Sequence, residues 1–524
     1  MKFFFNHRVL LGTLGLTLGL GGCKDFLDVN VSPNTATSVP AAQLLPNGIL
    51  RPAVVTGNTL NVLGNLYAGN WAQSADFLFY VPQQTYNLTT TTYESVWTEI
   101  FAGSLPDLAV AESTARANGD KNTLAIVRIM QAYNYQLLVD CFGDIPYTEA
   151  LQGTSNLKPK YDKDSYVYDQ LIVILNEALA NIDTSANATT PGSADIAFGG
   201  NMVKWRRFAN SLKLRVYLRQ CLTRPSVASA GIAAMQGADF LGAGSTSTAS
   251  ENVGVNPGFI NSSGQVNPFV AALGYTVTGA ATSSNNATRA NTLGLDYLKA
   301  TQDTLRMKRI YTQIGTRSNI VRNYQGLQSG ATPANQAGNQ GALSRIGPGI
   351  IIPFASAGYS QPLYLMTSAE SFFLQAEAVQ RGYLTGSAQT LYESGIKESF
   401  KLLGLTEANA TTYYSQTGTV NPIVSDPLVA GGQFDTKAIS PNFTLAANKI
   451  QAIVTQKWIA NNGINGFEAW SEFRRTGFPA GNYISLNASA RTFPVRIPYP
   501  QNEVNNPNTP VGVTIFTPKI FWQP

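Results

Sequence analysis

Residues 122–151 read NTLAIVRIMQAYNYQLLVDCFGDIPYTEAL. Ile126, Ile129, Met130, Tyr133 and Leu137 fall at i, i+3, i+4, i+7 and i+11, which predicts a helix over 122–141 with one apolar face. Gly143 suits the helix C-terminus, and Pro146 prevents continuation. Asp144 and Glu149 follow. As a carboxylate pair they are candidates for glycosidase chemistry, but a turn cap for Asp144 and a salt bridge for Glu149 weigh more.

The same spacing recurs outward from this stretch. Tyr168, Leu171, Ile172 and Leu175 mark a helix within 165–183, and Trp205, Phe208, Ala209, Leu212 and Val216 one within 202–221. Leu365, Ala369, Phe372, Ala376 and Val379 do so in 363–381, and Ile450, Ile453, Val454 and Trp458 in 445–461. Long alternating strand patterns are scarce. The reading is a mainly α protein of helix pairs with tetratricopeptide character, stacked on one continuous core. Residues 222–290 and 312–362 are rich in small and polar residues or scattered Gly and Pro, and read as long irregular loops. A single domain over 49–524 is expected, with an N-terminal helical half (49–221), a variable region (222–362) and a C-terminal half (363–524).

The 524 residues are 44% hydrophobic and 13% charged, enough apolar material for a large core. A net charge of +5 is too dilute to argue for nucleic acid. Asn, Gln, Ser, Thr and Gly make up the polar surface, which suits uncharged, hydroxyl-rich ligands. The one histidine is His7, inside a segment expected to be cleaved, so the mature chain has no histidine for triads, bases or zinc. Cys23, Cys141 and Cys221 match no metal spacing. Cys141 and Cys221 are either a disulfide or, better supported by their apolar helical surroundings, two buried thiols. Asp162 and Asp164 lack the glycine and distal Glu of a calcium loop, and no cofactor is expected.

Residues 1–22 read as a secretory signal, with Lys2 and Arg8 before a glycine-broken apolar run from Val9 to Leu20. Leu20-Gly21-Gly22-Cys23 resembles a lipobox, although Gly stands where Ala or Ser is commoner. Cys23 is thus the expected lipidation site, followed by a tether over 23–48. Lys24, Asp25 and Asp28 resemble the surface-export signal of Bacteroidetes lipoproteins.

A family resemblance rests on several blocks. FGDIPYTEAL at 142–151 resembles a signature of the SusD/RagB family of outer-membrane nutrient-binding lipoproteins. So do WRRFANSLKLR from Trp205, SAESFFLQAEA from Ser368 with Arg381-Gly382, and YESGI from Tyr392. QKWIA from Gln456, EAWSEFRRTGFP from Glu468 and PVRIPYPQNE from Pro494 agree and keep the family's order. The resemblance implies a SusD-like α/α superhelix of tetratricopeptide-like helix pairs with few short strands. It implies a non-catalytic binder of a nutrient, an oligosaccharide first and a peptide second. The partner would be a SusC-like TonB-dependent outer-membrane barrel, with a lipid anchor facing the cell exterior. A tetratricopeptide scaffold for protein assembly is the alternative.

Sugar rings stack on flat aromatics while amides bond their hydroxyls. The dense 71–97 stretch therefore supplies Trp71, Tyr80, Tyr86 and Asn87 as ligand candidates, and the later loops supply Asn323, Tyr324 and Tyr359. Trp97 and Phe101, four apart, read as core. The cations Lys204, Arg206, Arg207, Lys213, Arg215 and Arg219 read as salt bridges on a solvated face. Glu377 and Arg381 form an i,i+4 pair, and Arg474 and Arg475 are expected to hold an internal carboxylate.

Overall fold

The structure is a computed structural model that describes residues 39–316, 318, 320–332, 343–418, 440–482 and 484–524. The signal segment, Cys23 and most of the tether lie outside the described residues. Ala41–Pro524 forms one compact unit.

The Lys121–Phe142 helix is its axis. Asp120 caps it, its side chain accepting from Thr123 N, and Gly143 ends it at a φ of 77°. All of it except Lys121 and Arg128 is buried, not one face alone. A helix apolar or internally satisfied all round belongs at the centre of a bundle. It packs against Leu105–Asn118 and Asp164–Asn181, and the latter against Met202–Arg219. In the C-terminal part Ser368–Gln380 packs on Ala388–Leu402 and Lys449–Ala460. The two parts close where Gly466–Thr476 meets Leu60–Tyr67. There Gly64 and Gly466 touch through bare backbone. A Cβ on Gly64 would stand 2.1 Å from the Gly466 carbonyl carbon, so neither position admits a side chain. Asn61 secures the contact, donating to Gly463 O at 2.8 Å and accepting from Gly466 N at 2.8 Å.

Three short antiparallel pairs pin the connecting regions to the helices. Trp71–Gln73 pairs with Thr288–Ala290, Ile145–Pro146 with Tyr161–Asp162, and Val253–Val255 with Leu363–Met366. The variable region is less irregular than its sequence suggests. It carries Pro225–Ala233, Pro268–Leu273, Ser283–Ala287, Thr292–Ala300 and Thr304–Ile310 as helices. All are of five to nine residues, too short to show an apolar period, and capping by Asn267, Thr282, Asn291 and Asp303 supplies the missing signal.

A buried ion network joins the helices. Arg475 donates to both oxygens of Glu377 at 2.8 and 2.7 Å and pairs with Glu472 at 2.5 Å. Arg219 pairs with Glu468 and reaches Glu472 at 3.3 Å and Asp140 at 3.5 Å. Arg215 meets Glu370 at 3.2 Å, Lys457 meets Glu472 at 3.0 Å, and Arg381 closes on Glu377 at 2.8 Å. The internal carboxylate expected for Arg475 is therefore Glu377. Arg474 instead donates to the carbonyls of Asp140 and Val495 and lies 4.0 Å over the Trp470 ring. The expected solvated basic face is corrected at two positions. Arg215 and Arg219 point into the core, because the carboxylates of the last helices face them there. Arg206 and Arg207 do form the expected half-exposed pairs, with Asp239 and Glu251. Cys141 and Cys221 are both buried and free.

Burial alone would raise every carboxyl in the network. The guanidinium groups of Arg475 and Arg219 hold Glu377, Glu472 and Glu468 below their ordinary value. Burial wins at Glu370, which is pushed up to about 7, and its Oε2 has no hydrogen-bond partner. The depressed carboxyls give stability that is complete above their unfolded value near 4.5 and lost as pH falls below it. Glu370 acts oppositely, costing stability as pH rises from about 4.5 to about 7. Thermal melts should show Glu377→Gln losing about 3–5 kcal/mol at neutral pH, since it takes the bidentate partner from the buried Arg475 and leaves it Glu472 alone. Glu370→Gln should lose far less, and its melting temperature relative to the parent should rise between pH 4.5 and pH 7.

Candidate functional site

The aromatic stretch after residue 70 folds inward. Trp71 is fully buried in its strand, its Nε1 donating to Asn462 Oδ1 at 3.2 Å and its ring stacked on Phe269 at 6.5 Å. Gln73 Oε1 accepts from Phe79 N at 2.7 Å and from Tyr80 N, which turns the chain so that the Tyr80 ring packs inside. The Tyr80 hydroxyl meets Thr288 Oγ1 at 3.1 Å. Tyr86 sits at a φ of 54°, and its hydroxyl accepts from Ser485 N at 3.1 Å. Burial raises the pKa of both tyrosines. Asn323 and Tyr324 are also buried. These five expected ligand residues are corrected to walls of the fold. Each of the three in the 71–86 segment satisfies its polar tip internally, which is what lets an amphipathic ring sit in a core. Asn87 is exposed and Tyr359 half-buried, so these two keep a face towards solvent.

An open cleft of about 540 Å³ is lined by residues of the 263–277 stretch. The Pro268–Leu273 helix forms one side. Asn267 caps it through Oδ1, accepting from Phe269 N at 2.8 Å and Val270 N at 3.1 Å. The Asn267 N–H donates to Tyr359 O at 2.9 Å and its amide to Gln361 O at 2.6 Å, which fixes the 354–361 turn against the helix. In that turn Ala357 takes a φ of 57° between two short 3₁₀ segments, Phe354–Ser356 and Gly358–Ser360. Three half-exposed rings gather as a result. Tyr275 lies 6.5 Å from Phe354, and Phe354 lies 5.8 Å from Tyr359. Of these rings Tyr275 lines the cleft, together with Ser263, Thr276, Val266 and Val277, and no lining residue is charged. The surface offers ring faces and hydroxyls, the pairing that a neutral sugar needs.

Sequence reading missed Tyr275 and Phe354. The available signal was Pro353-Phe354 five residues ahead of Tyr359, but Tyr275 lies far off in the chain and only folding brings it near. Phe79, one of the aromatics of the 71–97 stretch, is not among the chosen candidates, and Leu78 carries no sequence signal. Both are exposed at the tip of the 76–81 loop.

The carboxylates singled out earlier are engaged in structure. Asp144 binds Lys163 Nζ at 2.7 Å and accepts from Asp164 N at 3.0 Å. Glu149 accepts from Asn156 Nδ2 and Lys160 N. Asp162 accepts from the Tyr147 and Thr148 backbone, and Asp164 from Phe521 N at 2.9 Å. Each behaves as a turn or loop clasp. Trp97 is buried as expected, although one edge reaches a second groove. No described helix is long and apolar enough to cross a membrane.

A family model described as SusD-like, starch-binding and associating with the outer membrane matches residues 33–500. A SusD homolog from Bacteroides uniformis superimposes with a TM-score of 0.74 at 23% identity, over 92% of this chain and 99% of its own. A chitin-binding SusD homolog from Flavobacterium johnsoniae does so with a TM-score of 0.70 at 24% identity, over 92% and 97%. A further chitin-binding protein gives 0.71 at 22% identity, over 93% and 100%. No curated protein matches the chain in sequence.

Tyr86→Phe should lower stability by about 1–3 kcal/mol, because it strands the buried Ser485 N–H. Ligand affinity, measured by calorimetry on the folded variant, should be unchanged.

Proposed function

The chain belongs to the SusD-like family, which is described as starch-binding and associating with the outer membrane, and on that footing we propose a non-catalytic receptor that takes up a neutral oligosaccharide. The observation that carries this reading is the uncharged cleft lined by Tyr275, whose ring is continued outside the cleft by Phe354 and Tyr359. Sugar C–H faces would stack on the rings, while the Ser263 and Thr276 hydroxyls bond ring hydroxyls. The absence of any charge in the lining disfavours uronate or sulfated glycans, whose desolvated charge would find no partner there. The chitin-binding relatives of the same fold support a glycan over a peptide.

The rest of the reading follows from the family. Lipidated at Cys23 and facing the exterior, the protein would hand its cargo to a SusC-like TonB-dependent barrel without breaking a bond. The engagement of Asp144 and Glu149 in loop clasps supports that absence of hydrolysis. Co-purification from native outer membranes in mild detergent tests the partnership. The expected result is a large barrel in near-equal amount, and elution of the lipidated protein alone would count against it. For the ligand, calorimetry against starch-type and chitin-type oligosaccharides should find binding that Tyr275→Ala or Tyr359→Ala weakens about tenfold, or ~1.4 kcal/mol. Unaltered affinity in both variants would remove the cleft from the account.

A further inference from the structure

A second concavity, built from other segments of the chain, has different chemistry. The Leu105–Asn118 helix supplies Pro106 and Val110 to one wall of a groove of about 430 Å³. The 146–159 connection supplies Pro146, Leu151, Leu157 and Pro159. Trp97 and Phe101, 4.4 Å apart, close the base. Leu157 is 76% exposed and Val110 51%, and Leu151 and Val504 are exposed around them. Three of the wall residues are prolines and have no N–H to give. Those three positions give a sugar's oxygens no backbone donor, whereas aliphatic side chains need none.

One charge lines the groove. Glu503 sits at its end beside Asn506, its Oε2 accepting from the Tyr161 hydroxyl at 2.5 Å. Thr509 Oγ1 in turn donates to that hydroxyl at 3.2 Å, so the carboxylate is held in place. Glu503 has no Lys or Arg within ion-pair reach among the described residues. The 146–163 connection carries three lysines: Lys158 is exposed between Leu157 and Pro159, Lys160 pairs with Glu149 at 3.8 Å, and Lys163 with Asp144. An apolar trough ending in an uncompensated carboxylate complements an apolar segment that ends in a cation. The concave shape fits an inserted chain better than a flat bilayer.

The geometry points to this groove as a docking site for an extended segment of a partner protein, aliphatic side chains seated on Leu157 and Val110 and an Arg or Lys meeting Glu503. It is a protein-binding site separate from the sugar cleft. The test uses the full chain in mild detergent with two capped tetrapeptides, Leu-Pro-Leu-Arg and Leu-Pro-Leu-Glu. The Arg peptide should bind about tenfold tighter than the Glu peptide. Glu503→Gln should abolish that preference, and the exposed Leu157→Ser should weaken both peptides without altering the melting temperature. Equal binding of the two peptides, or binding of neither, overturns the proposal. So does sedimentation with phosphatidylethanolamine–phosphatidylglycerol vesicles that Leu157→Ser abolishes, which would make the groove a membrane contact.

Discussion

Five carboxylates share the core with Arg215, Arg219, Lys457 and Arg475, and everything else must accommodate them. Charges taken out of water cost several kcal/mol each unless their partners stand in good geometry. Here the partners come from separate parts of the chain. Arg219 belongs to the Met202–Arg219 helix, Glu377 to Ser368–Gln380, Lys457 to Lys449–Ala460 and Glu472 to Gly466–Thr476. A shift of any one helix by a turn would strand a charge. The network therefore contributes less to net stability than to the choice of one helix register, which we take to be its role. The bare-backbone contact of Gly64 with Gly466 sets the same register from the other side.

That rigid frame frees the variable region to carry the proposed ligand cleft. Val253–Val255 is paired to Leu363–Met366, and Thr288–Ala290 to Trp71–Gln73, so both ends of the cleft-bearing segment are fastened to it. Between the fastenings Asn267 does local positioning, capping one helix while holding the Tyr359 turn. The aromatics of the 71–86 segment serve this fastening. Tyr80 bonds Thr288 of the paired strand, and Trp71 stacks on Phe269 at the foot of the cleft helix.

The sequence was legible where periodicity or motif reflects the core. The helices at 122–141 and 202–221 were readable from their apolar spacing, whereas that expected over 363–381 begins only at Ser368, Leu365 lying in the Leu363–Met366 strand; the family blocks contain the very residues that pair in the network: Arg215, Glu370, Glu377, Glu468, Glu472 and Arg475. What looked like a motif was a set of mutually dependent charges. The central helix was only half legible, since Asn134, Gln136 and Asp140 look solvent-facing until their buried partners are known. The ligand surface was mostly hidden. Density of aromatics drew attention to Trp71, Tyr80 and Tyr86, but density does not distinguish a wall from a lip. The difference lies in whether the hydroxyl or indole N–H finds an internal partner such as Asn462, Thr288 or Ser485. Tyr275 and Phe354 needed the fold to become neighbours.

The most direct measurement is a crystal structure of the chain soaked with a neutral β-linked or α-linked glucan-type or chitin-type oligosaccharide. The account predicts sugar rings laid against Tyr275, Phe354 and Tyr359, with hydroxyls on Ser263 or Thr276. Sugar density in the Trp97 groove instead, with the cleft vacant, would contradict it.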